Sequence, residues 1–158
     1  DAFLAGKLTE KRFLSKIGHP YRGPFDIWPG FAPILEFARK KKLRVIAIDR
    51  RAPGPRSLEI RDQGASEAIS TALQADDAPL VMVLVGQFHV TPAHLPRQVE
   101  LRVRRELDSL VVYQNAEGVF WSLARKGLAS STDAVQVSER ELCLINTSPV
   151  VSQRSFLD

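Results

Sequence analysis

Three short apolar runs, separated by helical patterns, constrain the fold of this chain more than any other feature of its sequence. Residues 43–48 read LRVIAI, residues 80–85 read LVMVLV and residues 110–113 read LVVY. The run at 80–85 lacks alternation, which is typical of a strand covered on both faces. Apolar residues recur at helical spacing from Ser57 to Gln74. Strands alternating with helices predict an α/β fold with a largely parallel or mixed central sheet flanked by helices.

Cap and turn residues complete the predicted order of elements. Thr9, Ser57 and Asn115 are predicted N-caps, and Gly127 is predicted to close the helix that Asn115 begins. Pro96 lies near the start of a helix predicted over 95–106, and Pro149 lies near the start of a last short helix. The segments 134–137 and 141–145 predict a C-terminal antiparallel pair of strands.

Length and charge limit the function classes. The 158 residues predict one domain over 1–158, and the single cysteine cannot form an internal disulfide. The 22 basic and 18 acidic residues give a net charge of +4, which allows a small anionic ligand. The basic residues accompany no nucleic-acid-binding motif, so we expect no nucleic-acid partner. The sequence also lacks the motifs of dinucleotide sites, P-loops, serine hydrolases and protein-only zinc sites.

Polar residues follow each apolar run, at the strand ends where open α/β sheets bind ligands. They are Asp49, Arg50 and Arg51 after the first run, Gly86-Gln87-Phe88-His89 after the second, and Gln114, Asn115 and Glu117 after the third. If the strands are parallel, these groups share one edge of the sheet.

The charged pair Arg61-Asp62 lies on or beside the face of its helix that is predicted to be buried. Leu58, Ala65 and Ile69 form the apolar stripe of the helix, and Asp62 falls in the gap on its core side. Arg61 borders the same buried surface, and a buried charge needs a partner. Two interpretations remain open: an ion pair that holds the helix to the preceding loop, or a functional site.

His89 is the last residue of a G-x-x-H sequence that directly follows the second run. A histidine there can exchange protons near neutral pH or bind a metal, and it can equally be a hydrogen-bonded structural residue. His94 comes five residues later, with Pro92 between them, so the two cannot form a metal pair one helical turn apart.

Four longer segments together resemble the ChaN-like haem-binding lipoproteins of the Tiki superfamily. They are SLEIRDQGASEAI at 57–69, LVGQFHVTPAHLP at 84–96, YQNAEGVFWSLA at 113–124 and the ending SPVVSQRSFLD. Arg61 and Asp62 match the family's R-D helix motif, and Gly86 and His89 match its second G-x-x-H motif. The family's first motif, G-E-x-H, and its lipobox cysteine do not occur here. We therefore expect the chain to be the central and C-terminal part of a longer ChaN-like domain.

The resemblance implies an α/β domain with a mixed sheet that takes part in haem or iron uptake. It implies the bacterial outer membrane, on the periplasmic or surface face, reached only through a lipid anchor outside these residues. It is compatible with a homodimer. Related superfamily members include esterases and metal-dependent proteases.

The first hypothesis for this chain is therefore a haem- or iron-binding domain. Candidate axial ligands are His89, His94, Tyr113 and, least favoured because it lies inside the apolar run, Met82; candidate partners for the haem propionates are Arg50, Arg51 and Arg97. The alternative is a hydrolase in which His89 is the base or a ligand to a divalent metal, assisted by Asp62 and Arg61. A non-catalytic binding module is the third hypothesis.

Overall fold

The described part of the chain consists of helices and one small mixed sheet. The computed structural model describes residues 2–18, 26, 28–50, 54, 56–75 and 80–154. These residues form seven helices and three strands, which confirms the predicted α/β class. They divide into two units, Asp1–Ala47 and Ile48–Asp158. No helix among them combines the length and the apolar composition that crossing a membrane requires.

The first unit contains helices α1 (Glu10–Lys16) and α2 (Trp28–Lys41). Thr9 caps α1 as predicted, because its side chain accepts a hydrogen bond from a backbone N–H of the first turn. The indole N–H of Trp28 donates to the carboxylate of Glu10 at 2.9 Å, and this bond joins the first residues of the two helices.

The second unit carries the remaining elements. In chain order they are α3 (Ser57–Leu73), α4 (Gln87–Val90), α5 (Leu95–Val103), β1 (Val111–Gln114), α6 (Glu117–Arg125), β2 (Ala134–Ser138), β3 (Glu141–Leu144) and α7 (Pro149–Arg154). The strand order is β1-β3-β2, with β1 parallel and β2 antiparallel to β3. The predicted C-terminal antiparallel pair is thus confirmed, and the sheet is mixed.

Helices α3 and α5 pack against each other and form the core of this unit. The buried cluster consists of Ala65, Ile69, Leu95 and Val99. Its members on α3 belong to the predicted apolar stripe, so the helical phase of α3 is as expected. Every second residue of the segment 81–85, the valines at 81, 83 and 85, packs against this cluster.

Two predicted strands are not strands in the structure. Residues 43–48 and 80–85 have no ladder partner among the described residues. The side chains of 80–85 alternate between partly buried valines and exposed Leu80, Met82 and Leu84. The prediction that both faces of this run are covered is therefore wrong for the described chain. One face packs on the helices and the other has no layer over it.

Local backbone geometry corrects three predicted helix ends. Ser57 is the first residue of α3 rather than its cap, which is Arg56. The helix predicted over 95–106 ends at Val103, because Arg104 adopts a left-handed conformation with φ 54°. Asn115 does not cap α6; it also has a positive φ, and its side-chain oxygen accepts hydrogen bonds from the backbone N–H groups of residues 146 and 147. It therefore ties the end of β1 to the end of β3.

Tyr113 on β1 is held by the neighbouring strand. Its hydroxyl donates to Glu141 of β3 at 2.8 Å, and the same carboxylate accepts a bond from Ser138. Partial burial, and then the bond to Glu141, raise the pKa of Tyr113 to about 12.

We expect Leu95→Ala to destabilise the protein much more than Leu101→Ala. Both residues lie on α5, but Leu95 is 3% exposed and Leu101 is 59% exposed. Removing the buried side chain leaves a cavity and should lower the free energy of unfolding by about 2–5 kcal/mol. The exposed substitution should change it by no more than about 0.5 kcal/mol. Urea unfolding measures both, and equal effects would contradict the packing of α5 against α3.

In a Tyr21→Phe background, we expect the phenol absorbance of Tyr113 to titrate near pH 12. The folded state holds this proton more tightly than the unfolded chain, whose tyrosine pKa is about 10. The protonated Tyr113 therefore contributes its full stabilisation below about pH 10, and this stabilisation is lost as the pH rises toward 12. Glu141→Gln should move the midpoint down, and Ser138→Ala is the control that leaves the Tyr113 bond in place. A midpoint near 10 in the parent protein would refute this geometry.

Candidate functional site

The site is built around Asp62, a carboxylate on the core side of α3. Asp62 is 2% exposed, which confirms the phase that the apolar stripe predicts. Helix α3 fixes its position, because the residue lies one turn before the core residue Ala65. A buried carboxylate costs several kcal/mol unless it is hydrogen-bonded. Its partners therefore determine what the site can do.

His89 is the first partner of Asp62. It lies on the single turn of α4, directly after the segment 80–85, and Gly86 caps that turn. The Nδ1 atom of His89 lies 2.5 Å from Oδ1 of Asp62. An ionised carboxylate only accepts hydrogen bonds, so Nδ1 carries the proton and the lone pair of the neutral ring lies on Nε2. The structure thus brings together two residues that the sequence analysis named as site candidates.

His94 is the second histidine beside the same carboxylate. It caps α5, and its Nδ1 atom lies 3.5 Å from Oδ2 of Asp62. This separation is within ion-pair range, but Oδ2 has no hydrogen-bond partner among the described residues although it is fully buried. His94 is 45% exposed, whereas His89 is 11% exposed. One carboxylate thus faces two imidazoles, of which only His89 makes a hydrogen bond to it.

Arg61 pairs with Asp49 rather than with its neighbour in sequence. Its guanidinium donates two hydrogen bonds to the two carboxylate oxygens of Asp49, at 2.7 and 2.9 Å. These bonds lower the pKa of Asp49. The two open interpretations of the R-D pair therefore separate: Arg61 holds α3 to the preceding segment, and Asp62 faces the histidines.

Residues that follow the first two apolar runs, 43–48 and 80–85, meet at the N-terminal half of α3. Asp49 follows the first run and contacts Arg61, and His89 follows the second and contacts Asp62. The prediction that these groups share one edge of a sheet is wrong for the first two runs, because neither is a strand in the structure, but the groups that follow them both contact α3. With neutral histidines, the two carboxylates and one guanidinium give this cluster a net charge of −1.

Arg50 lies against Gly64 of α3 and is part of a second charged cluster. Its guanidinium fills the space that a β-carbon at Gly64 would need, and it pairs with Glu67 at 3.1 Å. Glu67 also faces Arg102, whose Nε donates to the buried Ser66 at 2.7 Å. Ser66, Glu67 and Arg102 were not named as site residues in the sequence analysis. The bare backbone at Gly64 is the one sequence signal of this network.

The structure does not bring the other predicted ligands to Asp62. Tyr113 is occupied by Glu141, and Met82 is exposed rather than buried in its run. Arg97 is exposed and makes no ion pair with a described residue. Arg51 lies outside the described residues.

Three-ligand metal sites are not found in the part of the chain that the structure describes: no set of three or more histidine, cysteine, aspartate or glutamate side chains there is arranged to hold an ion. Comparison of the chain with protein-family models, with curated proteins and with solved structures gives no significant match.

Proposed function

We propose that this chain is a haem-binding domain of the ChaN-like kind, with His89 as the axial ligand of the haem iron. The observation that carries the proposal is the bond between His89 Nδ1 and the buried Asp62. Histidines that bind metals commonly donate their second ring N–H to a carboxylate, which fixes the tautomer and raises the basicity of the ligating nitrogen. Here that arrangement leaves Nε2 of His89 as the ligating atom.

The described residues around His89 fit such a group. A porphyrin supplies four nitrogens to its iron, so one protein imidazole suffices as a proximal ligand. Phe88, directly before the ligand, is 71% exposed, and Leu84 and Met82 are exposed on the segment that leads to it. These apolar side chains offer the contact that a porphyrin face requires. Among the described candidates, Arg97 is the cation that would pair with a propionate, since Arg50 and Arg61 are engaged by carboxylates.

In this proposal, Asp62 and Arg61 have separate roles around the ligand. Asp62 holds the proton on His89 Nδ1 and fixes the plane of the ring. Arg61 keeps Asp49 paired, which holds the start of α3 against the residues after the first run. Bound haem would supply an iron centre that exchanges electrons or is carried as nutrient iron. Placement at the outer membrane is part of this proposal and rests on the sequence resemblance alone.

We expect hemin to shift its Soret absorbance on binding the protein and His89→Ala to abolish that shift. Asp62→Asn keeps a hydrogen-bond acceptor but removes the charge, and should weaken binding by about 10–100-fold. His19→Ala is the matched control for loss of a histidine. If His94→Ala rather than His89→Ala removes the shift, His89 is not the ligand. An unshifted Soret band in the parent protein would end the haem proposal.

A hydrolase is the second candidate, and the same bond favours it. A buried carboxylate that orients an imidazole through Nδ1 is the arrangement of a general base, because it stabilises the imidazolium formed when Nε2 takes a proton. In this candidate Nε2 of His89 would take a proton from an attacking water molecule.

If the second candidate is right, we expect the haem-free protein to turn over an ester or peptide substrate from a test panel. His89→Ala and Asp62→Asn should each reduce the rate by roughly 10²–10⁴-fold. Leu101→Ala, on the exposed face of α5, is the control. Haem-free protein without turnover, together with a Soret shift that depends on His89, would decide for haem binding.

A further inference from the structure

The oxygen Oδ2 of Asp62 is the one feature of the site that the proposed haem ligand leaves unexplained. His89 uses Oδ1, and Oδ2 is buried without a hydrogen-bond partner among the described residues. An unsatisfied buried charge of this kind is costly and calls for a partner. Nδ1 of His94 lies 3.5 Å from it.

That distance is too long for a hydrogen bond of ordinary strength and suits a shared metal ion. Zinc lies about 2.0–2.2 Å from carboxylate oxygen and from imidazole nitrogen, in a tetrahedral arrangement. Two ligands of one tetrahedral ion at about 2.1 Å are therefore about 3.4 Å apart. The observed separation of 3.5 Å matches that spacing.

Charge and access also favour a cation. Asp49, Asp62 and Arg61 leave the cluster with a net charge of −1 while the histidines are neutral, and a cation would offset it. His94 is 45% exposed, so solvent can reach the ion from its side and complete the coordination. Carboxylate oxygen and imidazole nitrogen together are donors that zinc and neighbouring divalent transition metals accept.

We propose that Asp62 Oδ2 and His94 Nδ1 bind one divalent transition-metal ion of the zinc class, with solvent in its remaining positions. His89 keeps its bond to Oδ1, so Asp62 bridges an ion and an imidazole. The site differs from a three-ligand structural zinc site, which the described residues do not form. Its open, solvent-filled positions are those of a metal that binds or activates a small ligand. The inference does not depend on haem binding.

The test uses haem-free protein and Co²⁺, whose visible absorption reports its coordination. We expect Co²⁺ to bind with the bands of a low-coordinate site, and Zn²⁺ to displace it. His94→Ala and His94→Gln should weaken Co²⁺ binding by at least about tenfold, since even outer-shell partners cost 10–100-fold. These substitutions change a partly exposed side chain, so they test the site even if Asp62→Asn fails to fold.

His19→Ala is the control, because it removes one of the three histidines of the chain and leaves both proposed ligands in place. Far-UV circular dichroism on each variant separates lost binding from lost structure. Unchanged Co²⁺ binding in folded His94→Ala, loss of binding in His19→Ala, or no binding by the parent protein would each overturn the proposal. None of these results depends on the hemin titration, so the two proposals stand or fall separately.

Discussion

A single carboxylate on the core side of α3 determines how this site is built. Asp62 is 2% exposed, and the helix that carries it packs through Ala65 and Ile69 against α5. Because the helix is fixed by that packing, the carboxylate cannot turn to solvent without breaking the core. The protein must therefore bring polar partners to it. The turn of α4 supplies His89, and the first residue before α5 supplies His94.

A buried carboxylate of this kind does not raise the stability of the folded protein by itself. Replacing a buried charged group by an apolar residue of similar size is often neutral or stabilising, whereas a charge left partly unpaired is destabilising. The two aspartates of this cluster differ in their partners. Arg61 donates two hydrogen bonds to the exposed Asp49, whereas the buried Asp62 faces the two histidines. Because Arg61 pairs with Asp49, it does not occupy the oxygens of Asp62 that face the two histidines.

The sequence predicted the site better than it predicted the sheet, for physical reasons. The position of Asp62 follows from a period of 3.6 residues, which depends only on α3 being a helix. The contact with His89 follows from where the second apolar run ends. Whether that run is a strand depends instead on a partner backbone, which a run of valines and leucines does not reveal. Asn115 escaped prediction because its role is a long-range clamp to residues 146 and 147 rather than a local cap.

The haem and metal proposals both depend on Asp62, but they use its two oxygens in ways that oppose each other. A carboxylate that donates electron density to His89 through Oδ1 makes Nε2 a stronger ligand or base. An ion on Oδ2 withdraws that density, because it neutralises the charge that orients the imidazole. Occupation of Oδ2 should therefore weaken whatever His89 does through Nε2. Because both histidines face the same buried carboxylate, we expect this coupling to act through its charge.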